Sequence, residues 1–283
     1  MSSKFIGQLD APTGDLAVDR TYAIPGPSGA LTARLFDARP ERRAGPVVVF
    51  FHGGGFVNLD IATHASLCAA IARQLDLPVV SANYRLAPEA PWPAAPDDAE
   101  AATRWIAENG ATFDRTFTHL VLCGDSAGGN LAAVAAMALR DRPARLPVLL
   151  QVLLYPKMDW ATDYPSAAAF ADGYGLDTAN LELYSVHYRP DVRHWRASPV
   201  HGNHQDMPPT LLVTASLDPL RDEGRAYAAC LIGAGVPTTY REFRGQIHGF
   251  ATFRRAIPSA APDVNIVLDI ARNMIAEALT GQA

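Results

Sequence analysis

Leu120-Val121-Leu122-Cys123-Gly124-Asp125-Ser126-Ala127-Gly128-Gly129-Asn130-Leu131 is the stretch that decides how this chain folds. An apolar run ends abruptly in Gly-x-Ser-x-Gly, and an Ala- and Leu-rich segment follows at once, up to Leu139. The run reads as a buried strand and the segment as a buried helix. Between them the chain must turn sharply, with Ser126 at the apex. Gly124 and Gly128 lack Cβ atoms, so strand and helix can approach closely at a strained corner. A glycine-rich turn with a serine capping a helix would be spelled the same way. The rest of the chain separates these two readings.

Working outward, apolar runs and helical spacings alternate. Upstream, residues 46–51 form a continuous apolar run, expected as a central parallel strand, and it ends at His52-Gly53-Gly54-Gly55-Phe56. A helix is expected over 63–75, a strand over 78–83, a proline-rich surface loop over 85–96, and a helix from Asp97 and Asp98 to about Asn109. The two aspartates suit the positive end of that helix. Ahead of these, residues 1–30 read as an arm and loops with a strand near 17–23, and 30–37 as an edge strand. Downstream, strands are expected over 148–154, 210–215 and 238–243, with helices over 222–234 and 262–279. Residues 157–208 interrupt the alternation with Trp160, Tyr164, Phe170, Tyr174, Tyr184, Tyr188 and Trp195, and 178–188 is their best helix. The pattern predicts an α/β fold, a mostly parallel central sheet with helices on both faces. The interruption reads as a small helical lid, so the chain is expected as one domain, 1–283, with a cap from about 1–30 and 157–208.

Composition narrows the function classes. The chain has 283 residues, enough for one large domain with a sizeable core. A net charge of −5 argues against nucleic acid as a partner. No apolar run reaches the length of a membrane span. The first 20 residues are polar and lack the apolar core of a signal peptide, which makes a cytoplasmic protein the expectation. Three scattered cysteines, Cys68, Cys123 and Cys230, read as reduced core thiols.

In open α/β sheets, ligands bind beyond the carboxyl ends of the strands. The polar residues directly after predicted strands are the glycine run from His52, then Ser126, Asp218 and His248. Their order is serine, acid, histidine, which is the triad order of a strand–elbow–helix hydrolase. Ser126 is the candidate nucleophile, His248 its base, and Asp218 the carboxylate that fixes the histidine tautomer. Asp222 and Glu223 are close rivals of Asp218 but suit the first turn of the next helix. The amides of Gly53, Gly54 and Gly55, with that of Ala127, are candidates for an oxyanion hole. A phosphate-loop reading of the glycines fails, because neither Gly-x-Gly-x-x-Gly nor a following Lys-Ser/Thr is present. His64 and His119 sit at the starts of a helix and a strand. The spacing of His187, His194, His201 and His204 does not predict a metal site.

These five motifs together resemble the hormone-sensitive-lipase-like esterases, bacterial family IV: His52-Gly53-Gly54-Gly55-Phe56, Tyr84-Arg85-Leu86-Ala87-Pro88-Glu89, Gly124-Asp125-Ser126-Ala127-Gly128-Gly129, Asp218-Pro219-Leu220-Arg221-Asp222-Glu223 and His248-Gly249-Phe250. The similarity runs from about Pro46 to Ala278. It implies an α/β-hydrolase fold and hydrolysis of short-chain carboxylic esters through an acyl-enzyme, with no cofactor. It implies the triad Ser126, Asp218, His248, and His52 as the histidine that braces the oxyanion loop. A homodimer is compatible with it. The chain departs from the family in its short N-terminal region and in Asn58-Leu59-Asp60, which stands where a glycine is usual. Two other activities fit the same residues: an amide or formamide hydrolase, and a non-catalytic small-molecule-binding protein on this fold.

Overall fold

The computed structural model describes residues 8–281; the first residues of the expected arm, 1–7, lie outside the described residues. An eight-stranded sheet has the order β1-β2-β4-β3-β5-β6-β7-β8. β1 (Val18–Gly26) and β2 (Gly29–Asp37) form an antiparallel hairpin, and β2 pairs antiparallel with β4 (Val79–Ala82). From β4 onward the sheet is parallel through β3 (Gly45–Phe51), β5 (Phe117–Asp125), β6 (Val148–Leu154), β7 (Thr210–Leu217) and β8 (Thr238–Ile247). The segment 30–37 is therefore an inner strand rather than the edge. Residues 18–26, expected within the cap, are the edge strand.

The central strands explain the unbroken apolar runs. In β5, Leu120 and Leu122 enter one core and Val121 and Cys123 the other; in β3, Val47, Val49 and Phe51 oppose Val48 and Phe50. A strand covered on both faces has no polar side to show in its sequence. One core is covered by α2 (Ala94–Glu108), α3 (Ala127–Asp141) and α6 (Arg221–Gly233). The other is covered by α1 (Ala65–Leu75) and α7 (Ala260–Thr280). Helix α3 is buried from Ala127 to Leu139, as its alanine-rich sequence requires.

Three expectations change in detail. Helix α2 starts at Ala94, and Asp98 is fully buried within it, accepting hydrogen bonds from the Arg85 backbone N–H at 2.9 Å and from Nε and Nη2 of its guanidinium, each at 2.8 Å. It closes an ion pair with the proline-rich loop instead of facing water at the helix end. All three cysteines are free, but Cys230 is only half-buried on α6, outside the core. The lid segment holds α4 (Pro165–Ala169) and α5 (Thr178–Tyr188), the latter as expected from its spacing. The described part of the arm instead packs behind the sheet's carboxyl edge. Asp10 Oδ1 and Oδ2 each accept a hydrogen bond from the Arg254 guanidinium at 2.8 Å, and the Leu9 carbonyl accepts the N–H groups of Arg255 and Ala256.

Candidate active site

The turn from β5 into α3 is as tight as its glycines allow. A Cβ on Gly124 would lie 2.2 Å from the Gly128 carbonyl oxygen, and one on Gly128 would lie 1.9 Å from that of Phe51. Ser126 sits at the apex with φ 54° and ψ −118°, a strained conformation for a residue with a Cβ. Three backbone bonds hold it there. Its N–H donates to Leu154 at 2.8 Å, and its carbonyl accepts the N–H groups of Asn130 and Lys157, each at 3.2 Å.

The other candidates converge on Ser126 from neighbouring strand ends. His248 Nε2 lies 2.8 Å from Ser126 Oγ, and His248 Nδ1 lies 2.8 Å from Asp218 Oδ2. Asp218 is completely buried, and its other oxygen accepts the Leu220 N–H at 2.8 Å. That arrangement sets the tautomer: Nδ1–H donates to Asp218 and Nε2 accepts from the serine hydroxyl. Burial would depress the His248 pKa, but the charge of Asp218 and the bond to it outweigh burial and hold it above the ordinary 6.5. The ring edge of Tyr155, 5.0 Å away, packs against the imidazole. The rivals serve elsewhere. Asp222 pairs with Arg221 and Arg225 and accepts the Ser166 N–H, whereas Glu223 is buried against Lys157.

The glycine run lies beside this chain of bonds. Gly54 and Gly55 have φ of +120° and +63°, and with Ser126 and Ala127 they line one cavity of about 150 Å³. The amides of Gly54, Gly55 and Ala127 have no acceptor among the described residues. Gly53 is a correction: its N–H donates to Asp125 Oδ1 at 2.8 Å, so it holds the loop in place and is not available to an oxyanion. His52 braces the same loop. Its Nδ1 lies 2.7 Å from the Gly53 carbonyl, its ring stacks on Tyr84 at 4.4 Å, and burial pushes its pKa down to about 4, which keeps it neutral.

The wall at Asn58-Leu59-Asp60 is backbone-defined. A Cβ on Gly54 would fall 2.0 Å from the Asn58 carbonyl oxygen, Leu59 takes φ +68°, and Asp60 Oδ1 accepts the N–H groups of Ala62 and Thr63. From the 157–208 segment, α5 contributes Asn180, Leu181 and Tyr184 to the cavity, and Trp160 contributes from the stretch before it. Phe56 stacks on Tyr188 at 4.0 Å, whereas Phe170 and Tyr174 pack on each other. Among the described residues, none of 8–53 lines the cavity, so the described part of the arm does not cover it. No group of three His, Cys, Asp or Glu among the described residues could hold a metal ion.

Sequence reasoning missed His64 and the role of Asp125. His64 Nε2 lies 3.1 Å from Asp125 Oδ1, with both side chains buried. Burial opposes both charges, yet each holds the other: Asp125 falls below the usual carboxylate range and His64 rises above that of histidine. The signal was Asp125 itself, a carboxylate at the end of an apolar strand, which needs a cation or several donors if it is buried. Lys157 was also missed as a lining residue.

Comparison with known proteins agrees with this geometry. A family model described as the alpha/beta hydrolase fold matches residues 48–252. Esterase LipI of Mycobacterium tuberculosis is 39% identical over 250 residues, covering 86% of this chain and 78% of the relative. Carboxylic ester hydrolase LipN of the same organism is 36% identical over 273 residues, covering 92% and 72%. Among solved structures, the ester-hydrolase EH1AB1 from the metagenome of Lake Arreo superposes with a TM-score of 0.90 at 37% identity, covering 97% of this chain and 88% of that one. The thermostable carboxylesterase EstE1, cloned from a metagenomic library, gives 0.89 at 32% identity, covering 96% and 94%.

Proposed function

This chain belongs to the alpha/beta hydrolase fold family, as a hormone-sensitive-lipase-like serine carboxylesterase, and from that premise we propose that Ser126, His248 and Asp218 are its catalytic triad acting on short-chain acyl esters. The observation that supports this reading is the continuous Asp218–His248–Ser126 chain of 2.8 Å bonds, opening on a cavity beside three unpartnered amides.

In this mechanism the Ser126 oxygen attacks the ester carbonyl while His248 Nε2 takes the hydroxyl proton. Asp218 stabilises the imidazolium that forms. The carbonyl oxygen becomes an oxyanion held by the amides of Gly54, Gly55 and Ala127, already fixed in place. Collapse of the tetrahedral species breaks the bond to the alkoxide, which leaves with the proton from His248. Water then attacks the acyl-serine, giving a proton to His248, and the acid departs as Ser126 recovers its hydrogen. A cavity of about 150 Å³ is roughly the size that admits benzene, which supports small acyl groups over long chains. The unpaired thiols support a cytoplasmic setting, and the edge strand β8 supports a homodimer. Among the described residues no helix is long and apolar enough to cross a membrane.

Ser126→Ala is expected to abolish hydrolysis of short p-nitrophenyl esters while the thermal transition stays close to wild type. Unchanged turnover in that variant would remove the assignment. A matched ester and amide separate the esterase from an amide hydrolase using the same triad.

A further inference from the structure

Of the 24 basic residues in the chain, only Lys4 and Lys157 are lysines. Lys157 lies on the wall of the active-site cavity, three residues after β6 ends. Its backbone N–H reaches the Ser126 carbonyl, so its position is tied directly to the nucleophile. Its side chain is 13% exposed and its ammonium is closely surrounded. Nζ donates to Glu223 Oε2 at 2.8 Å and to the Asp159 carbonyl, and lies 4.8 Å from the centre of the Trp160 ring.

An ammonium has three N–H donors. Two have partners here, and the third has no acceptor atom among the described residues. The cavity lining also includes apolar Phe56, Trp160, Leu181, Leu220 and Phe253, beside polar Asn58, Asn180, Tyr184 and Thr252. Among the lining residues Lys157 is the only lysine or arginine, so a substrate oxygen would find one such cationic donor beyond the oxyanion amides.

The surrounding charges decide what kind of oxygen suits it. Glu223 already occupies the ammonium, Asp159 is buried beside it, Asp125 lines the cavity paired with His64, and Asp218 is buried behind His248. Burial lifts the Glu223 carboxyl to about 7 even against Lys157, so that wall already resists negative charge. A second carboxylate, brought by substrate, would add to this repulsion. A neutral acceptor would not.

We propose that Lys157 is a specificity-determining residue whose third N–H receives a neutral oxygen on the acyl or alcohol chain of the substrate. The enzyme then prefers esters bearing a keto or ether oxygen over plain alkyl esters of the same length. This rests on the esterase reading above.

The test compares kcat/KM on matched esters. Ethyl pentanoate is set against ethyl 4-oxopentanoate and monoethyl succinate for the acyl side, and butyl acetate against methoxyethyl acetate for the alcohol side. A hydrogen bond to a charged group is worth roughly tenfold or more. Wild type is therefore expected to favour one oxygen-bearing neutral ester about tenfold over its alkyl match, with the succinate monoester behind. In Lys157→Met that ratio is expected to fall to near one. Lys157→Met/Glu223→Gln, which leaves no unpaired carboxylate, serves if the single variant does not fold, and the wild-type ratios need no variant. Absence of any preference in wild type, an equal fall on both esters in the variant, or a best rate on monoethyl succinate would each overturn the proposal. Ser126→Ala separates this from failure of the parent reading, because persistent ethyl pentanoate hydrolysis there would refute the triad instead.

Discussion

Replacing Asp125 tests whether the glycine loop depends on the carboxylate that anchors it. Asp125 accepts the Gly53 N–H at 2.8 Å and faces His64 Nε2 at 3.1 Å, with both side chains buried. Asp125→Ala leaves His64 without its counter-charge and the Gly53 N–H with only a long 3.4 Å approach to His64 Nε2. Breaking a buried pair from one side costs about 3–5 kcal/mol. For a domain of this size that lowers the melting temperature by roughly 6–20 °C. The effect on rate is separate. Gly53 fixes the chain direction into Gly54 and Gly55, and each oxyanion donor out of place costs about 10²–10³ in rate. The expected result for Asp125→Ala is a kcat lowered about 100-fold or more, with KM changed little, because the donors act on the transition state. Asp125→Asn keeps an oxygen for the Gly53 N–H and is expected to recover most of kcat while remaining less stable than wild type. Steady-state kinetics on a short p-nitrophenyl ester, with calorimetry on the same preparations, reads both quantities. A folded Asp125→Ala enzyme with kcat within threefold of wild type would refute the reasoning, as would an Asp125→Asn enzyme no faster than Asp125→Ala.

Two further outcomes follow from the same geometry. His248 must be neutral to take the Ser126 proton, and Asp218 raises its pKa, so kcat/KM should fall on acidification with a midpoint above 6.5; Asp218→Asn should move that midpoint down, and a wild-type midpoint at or below 6.5 would contradict the arrangement. Gly55→Ala would place a Cβ 2.3 Å from the Tyr184 ring at a φ of +63°, so α5 must move; wild-type KM and kcat in that variant would show that Tyr184 does not close the cavity over the loop.

The sheet and the convergence of Ser126, Asp218 and His248 were legible because both follow from local rules. Residues 46–51 and 120–123 are apolar throughout since β3 and β5 are buried on both faces, and Ser126, Asp218 and His248 each stand just past a strand. What sequence could not supply was pairing between distant side chains. His64 looked like a residue at a helix start, and its partner is 61 positions away in the turn before Ser126. Asp98 looked like a helix-end charge, yet it turns inward to Arg85. Gly53 belonged to a run of three equivalent letters, and only the position of Asp125 separates it from Gly54 and Gly55. The anchor of the arm's described part, Arg254, was hidden for a similar reason, because it lies near the far end of the chain.

These distant pairs have one common effect at the elbow. Ser126 holds a backbone conformation that costs of order 1–3 kcal/mol, so something must over-determine it. The three bonds to its own N–H and carbonyl come from β6, α3 and the segment after β6. The loop facing it is fixed by Asp125, the residue immediately before it, and by His52 and His64. The imidazole is fixed by Asp218 on one side and Tyr155 on another. Every reacting group is thus held by at least two elements of the sheet layer. Above them, the cavity roof rests on α5, where Leu183 and Val186 are exposed and Tyr188 alone is buried. Substitutions beneath the elbow should therefore change kcat, and substitutions in α5 should change which esters are accepted. Lys157 is where these two layers meet, since its backbone belongs to the first and its side chain to the cavity wall.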